Sequence, residues 1–416
     1  MNNKCDKYFE ALNKKISVEL LSKDFFSNKT LAVQEVIDGI VVPPVNFKFK
    51  SSKKYNPENT IFGAGGVIEK NGKYVDISAQ KAYGMRQRIA GVYDISDSLI
   101  ASSNESVIYM NYFIHQWGHY LLDVIGRLWY ALREKKLKIV YTCYTDRQDE
   151  INGNYLELLN LLGIPKDRLL LINKPTAFKK IIVPESAIYP GKYYTNEYKQ
   201  MFDLIVSNAG VNIKSDNKKI YCSRAKLGKA NKREFGEKLV EKVFNANGYE
   251  SVYMEQLSLI EQIKLLNSCS EIALVNGSLA HNLLFVKNNC NVYILNKTYR
   301  YNLHQYLINQ FSNINATFVD VYVSPLPVLY GYGPFIIRIT SEFIKFCSDH
   351  NINIDIKTID NSISFGTKIK YYFEWLYAYK RFFITGKKIQ EDTINEEIPR
   401  KVIRKFYKYQ LINLPK

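Results

Sequence analysis

Short hydrophobic runs separated by turn residues fill the chain between residues 31 and 110. One run covers 33–42, and another covers 61–68 around the glycines of the segment GAGG. The pair Asn71-Gly72 follows, and this pair favours a hairpin turn. These features predict a strand-rich start. GAGG lacks the spacing of a dinucleotide-binding loop and is not followed by a helical pattern, so we interpret it as a turn.

From residue 118 onward, some segments have hydrophobic residues at helical spacing and others form short continuous hydrophobic runs. Helices are predicted at 118–133, 154–162 and 197–208, and strands at 137–142, 169–172 and 181–184. After a polar stretch at 214–217, strands are predicted at 219–222, 251–254, 271–275 and 291–295, and helices at 232–245, 259–267 and 279–286. This alternation is typical of parallel sheets, so the predicted fold class is α/β.

Length and charge set the broad class of the protein. The chain has 416 residues, 46% of them hydrophobic, which is enough for a large buried core. The length favours two domains and an appendage, which we place at 1–205, 206–330 and 331–416. The formal net charge of +17 suits phosphate-bearing partners: nucleotides, nucleic acid, anionic lipid headgroups or anionic glycans.

Cysteine usage and hydropathy bear on location. Six cysteines occur without a CxxC pair or metal-ligand spacing, which is typical of reduced thiols in a cytoplasmic protein. The N-terminal segment has no apolar stretch after its charges, so no signal peptide is predicted. No run reaches the ~18 apolar residues that a membrane span requires. We therefore predict a cytoplasmic protein whose membrane association, if any, is peripheral at the inner face of the cell membrane.

The segment QWGHYLLD, at 116–123, contains the first candidate site. In a helix, His119, Asp123 and Arg127 are four residues apart and lie on one face. Asp123 can orient His119, and Arg127 can keep the carboxylate charged, as a general base near neutral pH requires. The alternative is a surface ladder of ion pairs between residues four apart, and the spacing alone does not distinguish the two.

The second α/β series contains another candidate site. In open parallel sheets, ligands bind beyond the carboxyl ends of the strands, so Arg224, Glu255 and the segment 276–282 are expected to converge on one crevice. Gly277 would let a phosphate approach the backbone, Ser278 would cap the following helix, and Arg224 would clamp a diphosphate.

This second site also has a plainer interpretation. The segment can be an ordinary helix start, in which His281 and Asn282 satisfy nearby backbone groups.

Several segments, in order, resemble glycosyltransferase family 61, which occurs in bacterial capsule and lipopolysaccharide enzymes and in plant and animal relatives. QWGHYLLDVIGRL resembles the family signature N-x-G-H-F-L-x-D-x-x-P-R-L. Segments 158–168 and 178–184 look like its middle region, and segment 221–224 looks like its Y-x-S-R. Arg233 with Glu237 looks like its R-x-x-N-E, and segment 257–266 resembles the helix that follows in the family. NGSLAHNLLF at 276–285 resembles its H-G-A-x-L-x-N-x-x-F. The resemblance covers roughly residues 60–295.

The chain departs from the family pattern at several positions. Gln116 replaces Asn, Gly126 replaces Pro, Gly236 replaces Asn, and Asn276 replaces the His of many members. The last change removes a potential charge beside the diphosphate, so donor affinity or identity can differ from that of other members. The family residues that this chain retains are His119, Asp123, Arg127, Ser223, Arg224, Gly277 and Asn282.

The resemblance implies two facing Rossmann-like domains, the GT-B arrangement, with the sugar nucleotide held mainly by the C-terminal domain. It implies an inverting hexosyl- or pentosyltransferase that acts on a surface glycan. In this scheme His119 or Asp123 is the catalytic base. The substrate-binding candidates are Arg127, Ser223, Arg224, Arg233, Glu237, Glu255, Asn276, Gly277, Ser278, His281 and Asn282.

Cofactor and partner expectations follow from this scheme. No metal or other cofactor is expected, because the chain has no Asp-x-Asp motif and its basic groups can stabilise the leaving diphosphate. The expected partners are a nucleotide-sugar donor and a glycan or lipid-linked glycan acceptor, with no nucleic acid.

The C-terminal segment 367–383 combines basic and aromatic residues, with Ile369, Tyr372, Phe373, Leu376 and Phe383 predicted on one side. It is interpreted either as a contact with an anionic inner-membrane surface or as a helix that packs on the core.

Two other functions remain open from the sequence. A net charge of +17 together with 32 tyrosines would also suit a nucleic-acid- or anionic-glycan-binding protein without catalysis. A sugar-phosphate transferase on a similar fold is the other alternative.

Overall fold

The structure of the protein is a computed structural model. It describes residues 22–45, 60–81, 87–93, 95, 100–144, 148–211, 217–228, 233–298, 302–323, 326, 333–355 and 360–384. The strands are β1 Phe26–Ser27, β2 Val33–Ile37, β3 Ile40–Val42, β4 Thr60–Gly63, β5 Gly66–Ile68, β6 Gln80–Lys81, β7 Gln87–Ile89, β8 Ala101–Tyr112, β9 Lys138–Thr142, β10 Leu169–Ile172, β11 Thr176–Pro184, β12 Ile188–Tyr189, β13 Tyr193–Thr195, β14 Lys218–Cys222, β15 Glu234–Phe235, β16 Glu250–Val252, β17 Cys269–Val275, β18 Asn291–Asn296, β19 Asn315–Asp320, β20 Tyr322–Val323 and β21 Phe335–Ile337.

Helices connect and flank these strands. The α-helices are Trp117–His119, Leu128–Arg133, Gly153–Leu161, Asn196–Asn208, Glu237–Ala246, Leu259–Ser268, Leu303–Ser312, Ser341–Asp349 and Phe365–Ile384. A π-helix covers Tyr120–Val124, and 3-10 helices cover Asp76–Ser78, Ile125–Arg127, Lys166–Arg168, Met254–Gln256 and Ser278–Phe285. The chain is therefore mixed α/β, as its alternating pattern predicts.

The first large sheet has seven strands in the order β10-β9-β8-β11-β3-β5, with β2 also paired to β11. Strands β10, β9, β8 and β11 are parallel, whereas β2, β3 and β5 pair antiparallel. The strand-rich start is confirmed, but it adds its strands to this sheet. This sheet is therefore mixed, because β2 and β3 pair antiparallel with β11, and β5 pairs antiparallel with β3.

The second large sheet has five parallel strands in the order β16-β14-β17-β18-β19. Numbered along the chain within this sheet, the order is 2-1-3-4-5. Such a sheet reverses its winding direction between the first and third strands, here β14 and β17, and ligands bind at this switch point. The predicted strands of the second series are all present, and their parallel arrangement is confirmed.

Three predicted helices differ from the observed ones. The helix predicted at 118–133 is divided into α, π, 3-10 and α turns, because the side-chain amide of Asn111 donates to the main-chain oxygens of Asp123 and Val124. The helix predicted at 232–245 begins only at Glu237, after strand β15 has paired with β21. The helix predicted at 279–286 is a 3-10 helix whose residues from Ala280 onward are buried.

One buried hydrophobic cluster joins the two large sheets. It includes Ile108 and Leu121 from the first α/β layer and Ile272, Leu274 and Leu283 from the second. Within the described residues, the cysteines are buried free thiols, and Cys5 lies outside them. No helix among the described residues has both the length and the apolar character needed to cross a membrane.

Beyond residue 330, strand β21 and helix Ser341–Asp349 pack against the second sheet. The final helix, Phe365–Ile384, buries Tyr371, Tyr372 and Trp375 and exposes Phe373 and Tyr377. Tyr372 and Phe373 therefore do not share a side of this helix. The proposed junction at 214–217 lies almost entirely outside the described residues, and the domain boundaries stay predictions.

Candidate active site

His119 and Asp123 form the first half of the site. Nδ1 of His119 lies 2.8 Å from Oδ2 of Asp123. The Asp123 side chain is only 1% exposed, whereas that of His119 is 33% exposed. The pair therefore joins a buried carboxylate to an imidazole that solvent and a substrate can reach. A ladder of ion pairs on the surface does not describe this arrangement.

Arg88 holds the Asp123 carboxylate. Its Nε donates to Oδ2 of Asp123 at 2.5 Å, and its Nη2 lies 3.0 Å from Nδ1 of His119. Burial alone would raise the pKa of Asp123, but the charge of Arg88 and the hydrogen bond from His119 outweigh it and lower that pKa. Nδ1 of His119 thus faces a carboxylate that can only accept and a guanidinium that can only donate. The tautomer that directs the Nδ1 proton to the closer Asp123 oxygen leaves Nε2 as the basic nitrogen.

Arg127 does not contact Asp123, contrary to the role proposed from its spacing. The π and 3-10 turns change the rotation per residue, so Arg127 points away from the His119 face and is 1% exposed. Its guanidinium donates to main-chain oxygens of Ile77, Ala79, Met110 and Pro184 and to the side chain of Asn111. Arg127 therefore joins β8, β11 and the 76–79 turn as a structural residue.

The second half of the site lies at the carboxyl ends of the second sheet. Ser223 and Arg224 follow β14, and the Ser223 hydroxyl accepts from the amide of Ala225. The amide of Arg224 donates to Glu237 at 2.9 Å. Glu237 opens helix Glu237–Ala246, and its burial raises its pKa to about 7. Arg224 thus emerges at the switch point between β14 and β17, where the sequence placed it.

Two charged residues absent from the sequence prediction complete this half. Glu234 of β15 accepts from Arg224 Nη1 at 2.9 Å and from Lys297 Nζ at 2.6 Å. Burial would raise the pKa of Glu234, but Lys297 and Arg224 outweigh it and lower that pKa. Lys297 directly follows β18, so the rule of ligand binding at strand ends could have identified it.

Gly277 and Ser278 lie beside these cations. Gly277 has φ 156° and ψ −162°, a conformation that essentially only glycine adopts. A Cβ at Gly277 would lie 3.3 Å from Arg224 Nη1 and 3.4 Å from Lys297 Nζ. The predicted capping role of Ser278 is wrong: Gly277 is the N-cap residue and has no side chain, while Ser278 is the exposed first residue of the 3-10 helix.

The two halves touch at Gly118. A Cβ at Gly118 would lie 2.5 Å from Nδ1 of His281 and 3.2 Å from Oγ of Ser278, so only glycine permits this approach. Burial lowers the pKa of His281 to about 3 and that of His304 to about 4, so both imidazoles are neutral near pH 7. The catalytic candidate His119 is therefore next in the chain to Gly118, which contacts Ser278 and His281 of the second half.

The family model described as Glycosyltransferase 61 matches residues 117–293. This match supports a glycosyltransferase of family 61. No curated protein matches the chain. The match includes His119, Asp123, Arg224 and Gly277. Arg88 and Lys297 lie outside it, on either side.

Within the matched segment, two asparagines have structural partners. Asn276 donates to Asn296, which donates to the Asp320 carboxylate, so a chain of side-chain hydrogen bonds links the ends of β17, β18 and β19. Asn282 accepts from Trp117 Nε1 at 2.5 Å and donates to Gln262 at 2.8 Å. Asn282 therefore ties the His119 segment to helix Leu259–Ser268.

The two remaining candidate residues, Glu255 and Arg233, have no contact with these asparagines among the contacts that the described residues show. Glu255 is an exposed residue of the short helix after β16. Nε of Arg233 lies 3.4 Å from Glu374 of the C-terminal helix. The substrate contacts assigned to Glu255 and Arg233 stay predictions.

Proposed function

We propose that this glycosyltransferase is an inverting enzyme that moves a sugar from a nucleotide-sugar donor to a growing surface glycan of the capsule or lipopolysaccharide type. One observation carries the proposal. His119, with its basic nitrogen oriented by Asp123, adjoins the contact between Gly118 and Ser278. A base for the sugar-accepting hydroxyl and a binding surface for the leaving diphosphate are therefore neighbours.

The His119–Asp123 pair supplies the proton transfer. Nε2 of His119 takes the proton of the attacking hydroxyl while its oxygen forms a bond to the anomeric carbon. The bond from that carbon to the diphosphate oxygen breaks at the same time, and attack from the opposite face inverts the configuration. Ionised Asp123 stabilises the imidazolium that results.

The leaving diphosphate gathers negative charge as this bond breaks. Arg224 and the first amides of helix Ser278–Phe285 supply positive charge and hydrogen bonds at the switch point. This stabilisation is the basis on which we propose a metal-independent reaction. We also propose the GT-B arrangement, with the sugar nucleotide on the five-stranded sheet and the glycan on the His119 side.

The C-terminal helix supports a peripheral contact with an anionic membrane, where a lipid-linked glycan would be presented. Phe373 and Tyr377 are 70% and 56% exposed, and exposed Lys370 lies on the same side of the helix. We expect Phe373→Ser to reduce co-sedimentation with anionic lipid vesicles, whereas Phe26→Ser, at another exposed aromatic residue, leaves it unchanged. Equal binding by both variants and the unaltered protein would contradict this contact.

Thermal shift against a panel of nucleoside diphosphates and their sugars, without metal, tests the donor site. One nucleotide should raise the melting temperature, and Arg224→Ala should abolish the rise. Arg133→Ala is the control, because the Arg133 side chain is 64% exposed and distant in sequence. With the donor identified, release of nucleoside diphosphate supports the proposed reaction. Release of nucleoside monophosphate would instead show a sugar-phosphate transferase.

A further inference from the structure

Glu234 lies between two cations at the switch point of the second sheet. A single oxygen, Oε1, accepts from both Arg224 and Lys297. The other oxygen, Oε2, is buried and has no hydrogen-bond partner among the residues described. Buried polar atoms are normally paired, so this carboxylate fits its surroundings incompletely.

Lys297 reaches this point from the end of β18. Its side chain is 11% exposed, and Nζ lies 4.7 Å from the ring centroid of Phe335. A cation removed from water this far requires an anionic partner, and in the described residues Glu234 is the one that contacts it.

The surface beside Gly277 is bounded by the same two cations. The nearest atoms to a Cβ built there are Arg224 Nη1 and Lys297 Nζ, at 3.3 and 3.4 Å. An anion oxygen that approaches the bare backbone of Gly277 would therefore come within reach of both nitrogens. Glu234 sets one negative charge against these two cations, whereas a nucleoside diphosphate carries more than one.

We infer that Glu234 is an internal substitute for donor phosphate: it pairs with Arg224 and Lys297 before the donor binds, and the diphosphate of the donor displaces it. This inference rests on the proposed function and assigns Lys297 as a second diphosphate-binding residue. The exchange keeps both cations paired at every stage, and it makes Glu234 a competitor that limits donor affinity.

The alternative is a permanent ion triplet that only stabilises the fold. Calorimetric titration of the full chain with inorganic pyrophosphate separates the two, because this probe does not depend on the nucleotide base. We expect Glu234→Gln to tighten binding about tenfold and Lys297→Met to weaken it about tenfold, since each changes one close charge at the site. Glu234→Asp keeps the charge but shortens the side chain, and we expect an intermediate affinity.

A matched ion pair in the same sheet provides the controls. Lys219 lies 2.6 Å from Glu271 near the amino ends of β14 and β17. Lys219→Met and Glu271→Gln change the same charges away from the site, and we expect both to leave pyrophosphate affinity unchanged.

The outcomes distinguish the inference from the function on which it rests. If Arg224→Ala weakens binding but folded Glu234→Gln and Glu234→Asp do not tighten it, Glu234 is structural and only the inference fails. If the unaltered protein binds neither pyrophosphate nor any nucleoside diphosphate, the donor site and the inference fail together.

Discussion

Two buried carboxylates, Asp123 and Glu234, occupy the centres of the two halves of the site, and their partners differ. Asp123 contacts Arg88 and the partly exposed imidazole of His119. Glu234 contacts two cations, Arg224 and Lys297. In both halves nearby positive charge lowers the pKa of the carboxyl group. A buried carboxylate beside an imidazole suits proton transfer, whereas one between two cations marks a place where an anion can bind.

Replacing His119 should produce the largest effect of these variants, on turnover and not on nucleotide binding by the second half of the site. We expect His119→Ala to lower turnover about a thousandfold, because general-base catalysis typically contributes a factor of that order. Nucleotide affinity should stay unchanged, as measured by thermal shift on the same variant.

His115→Ala is the control, because His115 is an exposed residue four positions earlier in the chain. Full turnover in His119→Ala would remove His119 from the chemistry and leave Asp123 as the candidate base.

Arg127 separates the structural role found here from the substrate-binding role proposed from the sequence. We expect Arg127→Met to reduce the free energy of unfolding by about 3 kcal/mol, because several buried oxygens would lose their donors. Urea denaturation measures this change, and nucleotide binding should persist at temperatures where the variant is folded. Arg133→Met is the control, with an expected change within about 0.5 kcal/mol at an exposed position. A stable variant that no longer binds substrate would reverse the assignment.

Glu237, in the same half of the site as Glu234, is expected to change the stability of the protein with pH in the opposite direction to Asp123. Its folded pKa, about 7, lies above the ordinary value, so the folded state binds the extra proton between about pH 4.5 and 7. Its contribution to stability is complete below this window and is lost as pH rises through it. The pKa values of Asp123 and Glu234 are lowered instead, so the stability that these carboxylates contribute to the protein is lost as pH falls.

Between pH 4.5 and 8, we therefore expect the free energy of unfolding to fall less in Glu237→Gln than in the unaltered protein, by on the order of 2 kcal/mol. Urea denaturation at a series of pH values measures the difference between the variant and the unaltered protein. Parallel curves would show that Glu237 keeps an ordinary pKa.

The smallest expected effect concerns the bond that joins the two halves. Trp117→Phe removes the donor to Asn282, and we expect a loss of about 1 kcal/mol of unfolding free energy. A double-mutant cycle with Asn282→Ala measures the coupling between these residues. No coupling would indicate that Asn282 is available for substrate, as the family motif suggests.

Local pattern was sufficient for much of the fold and for one part of the site. The alternation of helices and strands predicted a parallel second sheet, and the strand-end rule placed Arg224 and Gly277 together. The spacing of His119 and Asp123 also predicted their contact, because residues four apart meet within one helical turn. The same spacing failed for Arg127, where competing bonds from Asn111 altered the helical turn.

Sequence pattern was enough to predict the strands of the second sheet and the neighbouring pair His119 and Asp123, because these features depend on main-chain geometry and on residues close in the chain. The contacts of Arg88 with Asp123, 35 positions apart, and of Lys297 with Glu234, 63 positions apart, depend instead on tertiary packing. Such pairs form because distant elements pack together and bury charges that then require partners. The spacing of hydrophobic and polar residues along the chain does not predict which distant charged residue becomes that partner.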